Sequence, residues 1–425
     1  MYITLSDRPQ DPERHDPHAD AGGDADPPRP VGRVVLLLGA VSLLTDISTE
    51  SVAAILPLYL TTVVGISAVA YGFVDGLYQG VSALVRVGGG WLADRTERPL
   101  WVAFAGYALS AVARIFLLFA AGLGSVASVV TADRIGKGIR TAPRDAMISA
   151  ATPPGHLGRA FGVHRMMDTV GAALGPLLAF AILWLIPDGY STVLVVSLAF
   201  ALVGVALLGL FGPEAAPRAP KPEQGPVQPP FRWRDLTAPR LRRLLWVAAG
   251  LGVLTVGDGF LYLALLDQGD LAIRWFPLLY VGTNIVYLAL AVPLGRVADR
   301  IGRARMLVLG HLALVGAYVL VVAPTSAVVA TLGTLLLLGT FYAATDGVIA
   351  ALAGTLVPAQ ARTSGIAAAQ TVVAVARMGA SFGFGLLWFQ LGPAAALVLV
   401  AGLLLLGVLA SATQVSRLDT RGAVA

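Results

Sequence analysis

Apolar residues run along this chain in long blocks, separated by short polar stretches. No sustained two-residue alternation marks a strand. Twelve blocks reach the ~20 residues that an α-helix needs to cross ~30 Å of hydrocarbon. They lie at 34–60, 70–92, 100–122, 125–150, 160–186, 190–211, 243–266, 273–297, 304–323, 326–350, 362–389 and 392–412. The pattern predicts an all-α integral membrane protein. The fourth block is the exception on hydropathy: "TADRIGKGIRTAPRDA" (131–146) holds Asp133, Arg134, Lys137, Arg140, Arg144 and Asp145.

Two arguments place that block across the membrane. The first is charge. Arg95 and Arg98 mark the loop after the second span as cytoplasmic, because basic residues favour that side. The polar stretch 212–242 is rich in proline and carries Arg218, Lys221, Arg232, Arg234, Arg240 and Arg242, so it belongs on the same side. An even number of crossings must separate the two, which requires the fourth block. Arg159, Arg300, Arg303, Arg305 and Arg362 fall in the remaining cytoplasmic loops, and Asp188, Asp267 and Asp270 fall opposite. The second argument is internal repetition. "GGGWLADRTERP" matches "PLGRVADRIGRAR", and "LLTDIS" resembles "TVGDGF". "RDAMISAATPPGHLGRAFG" resembles "TDGVIAALAGTLVPAQARTSG", whose span is plainly hydrophobic. The expected organisation is therefore a cytoplasmic tail without regular structure (1–31), a six-helix half (32–211), a cytoplasmic linker (212–242), a second half (243–412) and a cytoplasmic C-terminal tail (413–425).

Composition agrees with this class. The chain is 56% hydrophobic and 13% charged, against roughly 25% charged in soluble domains. Cysteine is absent, which excludes disulfides and thiolate metal sites. The net charge of +5 comes from basic residues at the ends of apolar blocks, so it does not indicate nucleic acid. There is no HExxH, GxSxG or P-loop, so an enzyme or a nucleotide-driven pump is not expected, and neither a metal nor a cofactor is implied.

Charges within the spans carry the functional expectation. An ionised residue at the bilayer centre costs roughly 2.5–3.5 kcal/mol unless it faces water or a partner. Asp133, Lys137, Arg140 and Arg144 share one helix face, so the stripe is expected to line a central cavity. Its candidate partners are Asp46 and Glu50 in span one, Asp75 in span two and His164, Arg165 and Asp168 in span five. In the second half they are Asp258, Asp346 and Arg377. Spans six and twelve hold no ionisable residue, so spans one, four, seven and ten are expected to line the path. Asp46, Glu50, Asp133 and Asp258 are candidates for carrying a proton. Arg134, Lys137, Arg140, Arg144, Arg377 and Asp346 are candidates for substrate contact or gating. The alternative for each is an ion pair that locks helices together. Trp101, Tyr262, Tyr280, Tyr287 and Phe341 are either packing or interface aromatics or a stacking surface for a ligand.

These residues resemble the major facilitator superfamily of secondary transporters over about 34–412. The family's loop signature, Gly-x-x-x-Asp-Arg-x-Gly-Arg-Arg, occurs twice. One copy is Gly295, Asp299, Arg300, Gly302 and Arg303. The other keeps Gly90, Asp94, Arg95 and Arg98, with Glu97 in place of the glycine and Pro99 in place of the last base. The resemblance implies that this loop latches the halves on the cytoplasmic side. Arg134, Lys137 and Gly138 resemble the Arg-x-x-Gln-Gly motif of span four, whose arginine is implicated in proton transfer in drug–proton antiporters. Gly171, Gly175 and Pro176 resemble the antiporter signature of span five, although Ala179 and Phe180 depart from its closing glycines.

The fold so implied has twelve transmembrane helices in two pseudo-symmetric halves that alternate access to a site near the midplane. The expected function is proton-coupled efflux of a small organic molecule by a monomer in a cell membrane, either plasma membrane or bacterial inner membrane. The basic character of span four favours an anionic or zwitterionic substrate, or else a fixed charge network. Uptake or exchange of an anionic metabolite or siderophore-like compound is the alternative within transport. A non-transporting receptor or lipid-handling protein on the same scaffold is the alternative outside it.

Overall fold

The computed structural model describes residues 32–96, 98–213, 238–268, 271–358 and 362–415. The tails and most of the central linker, with Glu97 and Asp270, lie outside them. The first half contains α1 (Arg33–Leu58), α2 (Ala68–Thr96), α3 (Pro99–Leu117), α4 (Leu123–Ala150), α5 (Leu157–Leu185) and α6 (Tyr190–Phe211). The second contains α7 (Pro239–Gly252), α8 (Asp258–Asp267), α9 (Phe276–Ile301), α10 (Arg303–Val322), α11 (Ala327–Thr355), α12 (Arg362–Leu391) and α13 (Pro393–Val415). The described residues contain no strand.

Among the described residues, nine of these helices are long and apolar enough to cross a membrane. Twelve crossings need three more, which α2, α4 and the α7–α8 pair would supply. α2 and α4 have 29 and 28 residues, or roughly 40 Å at a rise of 1.5 Å per residue. Their length suffices, but Asp75, Gln79 and Arg86 interrupt one, and Asp133, Arg134, Lys137 and Arg140 the other.

The same helix pairings recur in the two halves. α1 packs on α5 as α7 packs on α12, and α4 lies between α2 and α3 as α11 lies between α9 and α10. The halves meet mainly along α2 against α12 and α5 against α9. Gly76 of α2 backs onto the Met378 carbonyl, and Gly385 of α12 onto that of Ala68. Small residues let helix backbones approach in a solvent that offers no hydrophobic drive. Beside this seam the Tyr71 and Phe260 rings meet edge to face at 4.7 Å, and Phe180 stacks on Trp275 at 5.5 Å. All these contacts lie toward the end of the bundle where α1, α5 and α8 finish.

Span seven is not one continuous helix. α7 stops at Gly252 and α8 starts at Asp258. Broken backbone at membrane depth is tolerated only where its polar groups find partners, and Tyr318 of α10 provides them. Its hydroxyl accepts a hydrogen bond from Val256 N–H at 2.7 Å and donates one to the Leu254 carbonyl at 3.1 Å. Tyr318 is fully buried. Tyr318→Phe leaves both groups unsatisfied with no change of shape, and should lower stability by about 2 kcal/mol. An unchanged thermal midpoint in detergent would show that the break does not depend on this hydroxyl.

Candidate functional site

A cavity of about 360 Å³ lies between the halves. Its walls come from α1, α2 and α5 on one side and from α8, α9 and α11 on the other. They carry four carboxyl groups (Glu50, Asp75, Asp258, Asp346), six tyrosines (71, 78, 262, 280, 287, 342) and a single cation, Arg165. Asp258 stands at the first position of α8, placed there by the break after Gly252, and accepts a hydrogen bond from the Tyr342 hydroxyl at 2.6 Å. Asp75 accepts one from Ser381 of α12 at 2.5 Å, and its carboxylate abuts Gly257, the residue before α8. That position suits an anion, because the first amides of a helix lack intrahelical partners. Asp346 lies 3.9 Å from Arg377, whose guanidinium sits over the Tyr342 and Phe341 rings at 5.5 and 5.8 Å. The Arg165 side chain is 80% exposed, so the cavity opens at its end of α5.

The stripe on α4 is elsewhere. α4 contributes no residue to the cavity wall, contrary to the expectation that span four lines the path. Sandwiched between α2 and α3, it turns its charges into the first half. Asp133 pairs with Arg134 and, at 3.3 Å, with Arg114 of α3. Arg114 also donates to Thr49 of α1 at 2.9 Å, and Arg134 lies 3.9 Å from the centre of the Tyr78 ring. Arg140 donates to Ser110 at 3.0 Å and covers Tyr107. Arg144 joins α4 to α1 and α5 through Ser42 at 3.2 Å and Asp168 at 3.9 Å, beside its 2.9 Å pair with Asp145. Lys137 is within electrostatic range of Asp46 and Glu50. Arg134, Arg140 and Arg144 thus have their partners within the first half, the arrangement of a fixed charge network.

The motif in α5 holds α1. A Cβ on Gly171 would lie 3.1 Å from that of Asp46, and one on Gly175 would lie 2.8 Å from that of Glu50. One turn before Gly171, Asp168 of α5 lies within electrostatic range of Asp46 of α1. Of the loop signatures, Gly90 faces Ala142 of α4, and Asp299 accepts bonds from its own Arg303 at 3.0 and 3.2 Å. Gly302 has φ of +105° between α9 and α10, a conformation that an L side chain rarely adopts. Arg95 lies over Trp91 at 5.1 Å. Trp101 is exposed at the start of α3, Phe341 is packed on His311, and Tyr262, Tyr280 and Tyr287 face the cavity.

The sequence model of the Major Facilitator Superfamily matches residues 38–381. The chain belongs to that superfamily. An uncharacterised MFS-type transporter of Methanocaldococcus jannaschii is 29% identical over 396 residues, covering 89% of this chain and 95% of that protein. An uncharacterised protein of Mycobacterium bovis is 29% identical over 362 residues, covering 83% and 86%. Among solved structures, the nucleoside transporter NupG superposes with a TM-score of 0.71 at 16% identity, covering 89% of this chain and 99% of that one. A POT family transporter in complex with 5-aminolevulinic acid superposes with a TM-score of 0.73 at 13% identity, covering 92% and 97%. At these identities the structures share the fold with this superfamily member. The chain is thus a multi-pass, MFS-type secondary transporter with a small-molecule substrate.

Sequence reasoning missed Arg114, the break in span seven and the share of α2, α5 and α9 in the cavity wall. Arg114 had a legible signal, a lone arginine in "SAVARIFLLFA". The glycines at 250, 252, 257 and 259 were the signal for the break. The cavity tyrosines had none, because a tyrosine in an apolar helix reads as packing.

Proposed function

We propose that this transporter exports a small organic molecule in exchange for protons, by alternating access across a plasma membrane. The observation that carries the reading is the polar cavity between the halves, sealed at one end by α2–α12 packing and open at the Arg165 end. In this reading residues 32–211 and 243–412 move as two bodies, with both termini and the 212–242 linker in the cytoplasm. The sealed end is then extracellular and the conformation inward-open. Asp46 with Asp168 is the proton-carrying pair: it bridges α1 and α5, the helices that flank the cavity, and Arg144 and Arg165 stand beside it. Outward movement follows when protonation from outside weakens substrate binding there and the cavity reopens inward.

The test is flux in proteoliposomes under an imposed pH gradient. Asp46→Asn should abolish gradient-driven movement and preserve exchange of substrate for substrate, which needs no net proton transfer. Undiminished gradient-driven flux in that variant would remove Asp46 from the coupling step. No gradient-dependent flux of any tested solute in the unaltered protein would sink antiport.

A further inference from the structure

We infer that the sealed end of the cavity is a binding site for an organic cation, a protonated amine or quaternary ammonium on an apolar body, held between Asp75 and Asp258. The inference rests on the reading of the cavity as the transport site and names its substrate class.

Charge is the first argument. Among the described residues neither Asp75 nor Asp258 forms an ion pair with a lysine or arginine. Asp346 pairs with Arg377, whose field also reaches Asp258, and Glu50 has the field of Arg134 and Lys137. The two cavity carboxylates of the sealed end therefore lie outside any ion pair, within electrostatic range of each other. The single cation in the wall, Arg165, stands at the other end. Hydroxyl donors from Ser381 and Tyr342 orient the two carboxylates and do not neutralise them.

The second observation is independent of charge. Tyr71 lines the cavity while only 2% exposed, and its hydroxyl has no hydrogen-bond partner among the described residues. It stands within electrostatic range of both Asp75 and Asp258. The hydroxyl is thus placed on the cavity surface, where it is free to bond a group that the bound state supplies.

The walls choose between cations. Among the described residues no three His, Cys, Asp or Glu side chains are grouped as a metal site. Tyr262 and Tyr280 pack edge to face at 4.7 Å beside Asp258. Aromatic faces with a carboxylate are the surroundings that attract an alkylammonium, and about 360 Å³ leaves room for its apolar body. Asp75 belongs to the first half and Asp258 to the second, so the cation ties the halves together at their sealed end.

Equilibrium binding to the full-length protein in detergent tests this with two probes of one shape and opposite charge, tetraphenylphosphonium and tetraphenylborate. Relative to protein-free micelles, the phosphonium should bind saturably and the borate should not compete. Asp75→Asn and Asp258→Asn should each weaken binding about tenfold or more, as expected when a desolvated charge partner is lost. Asp258→Glu should recover part of the loss, and Asp267→Asn, at the far end of α8, should bind as the unaltered protein does. If an asparagine variant does not yield folded protein, Tyr71→Phe keeps the packing and should still weaken binding. Equal binding of both probes, or unaltered phosphonium binding by the folded cavity variants, would overturn the assignment. Gradient-driven flux of a neutral or anionic solute without phosphonium binding would sink the cation site and leave the transport reading. Carboxylate-dependent binding with no flux of any solute would do the reverse.

Discussion

Asp133→Leu should destabilise the protein by about 3–5 kcal/mol, the cost of removing one partner from a buried ion network. Asp133 is the anion between two cations, Arg114 and Arg134, and all three are at least nine-tenths buried. Replacing it leaves both guanidinium groups in the interior of the first half, with Arg140 close by. Arg114→Met is the control. It removes one cation and leaves Asp133 and Arg134 as a balanced pair, so its cost should be clearly smaller. The comparison separates charge balance from packing, because both variants put an apolar side chain at the site. Thermal midpoints in one detergent check it. An Arg114→Met midpoint at or below that of Asp133→Leu would mean that the network is not held by its charge balance.

Gly175→Ala should also be costly, although it adds a single carbon. The new Cβ would lie 2.7 Å from Ser51 N and 2.8 Å from Glu50 Cβ. Neither neighbour is the end of a flexible chain, so α5 and α1 must move apart. Overpacking of this kind costs about 1–3 kcal/mol. The functional effect should exceed the loss of stability, since α1 places both Asp46 and Glu50, and gradient-driven flux should fall sharply. Gly162→Ala on the same helix is the matched control. A Cβ there meets nothing within 4 Å, and alanine favours a helix over glycine by about 1 kcal/mol. The two substitutions should therefore act in opposite directions on the thermal midpoint. If both raise it, the α1–α5 approach is looser than the geometry describes.

The architecture was largely legible because its causes are local or summed along the chain. Hydropathy over ~20 residues marks a span whatever its neighbours are. The arginine distribution and the second copy of the span-four sequence rescued α4, whose own hydropathy argued against it. The glycines at 250, 252, 257 and 259 hinted at the break over 253–257, but what makes it tolerable was not legible. The backbone polar groups of the break are satisfied by Tyr318, more than sixty positions along the chain, and no local pattern contains that contact.

The sequence by itself determined the membrane class, the superfamily resemblance and the fact that Asp133, Lys137, Arg140 and Arg144 share a helix face. A 3.6-residue period dictates which side chains lie together on a helix, but not what that face meets. Only the tertiary structure decided that α2 and α3 enclose α4, so that Arg134 and Arg140 ended in a fixed network inside one half. It also decided that Asp75 and Asp258, which lie in different halves, share one end of a cavity. Whether a buried charge meets a partner or a ligand depends on the packing of distant helices, and that is where the chemistry of this transporter was settled.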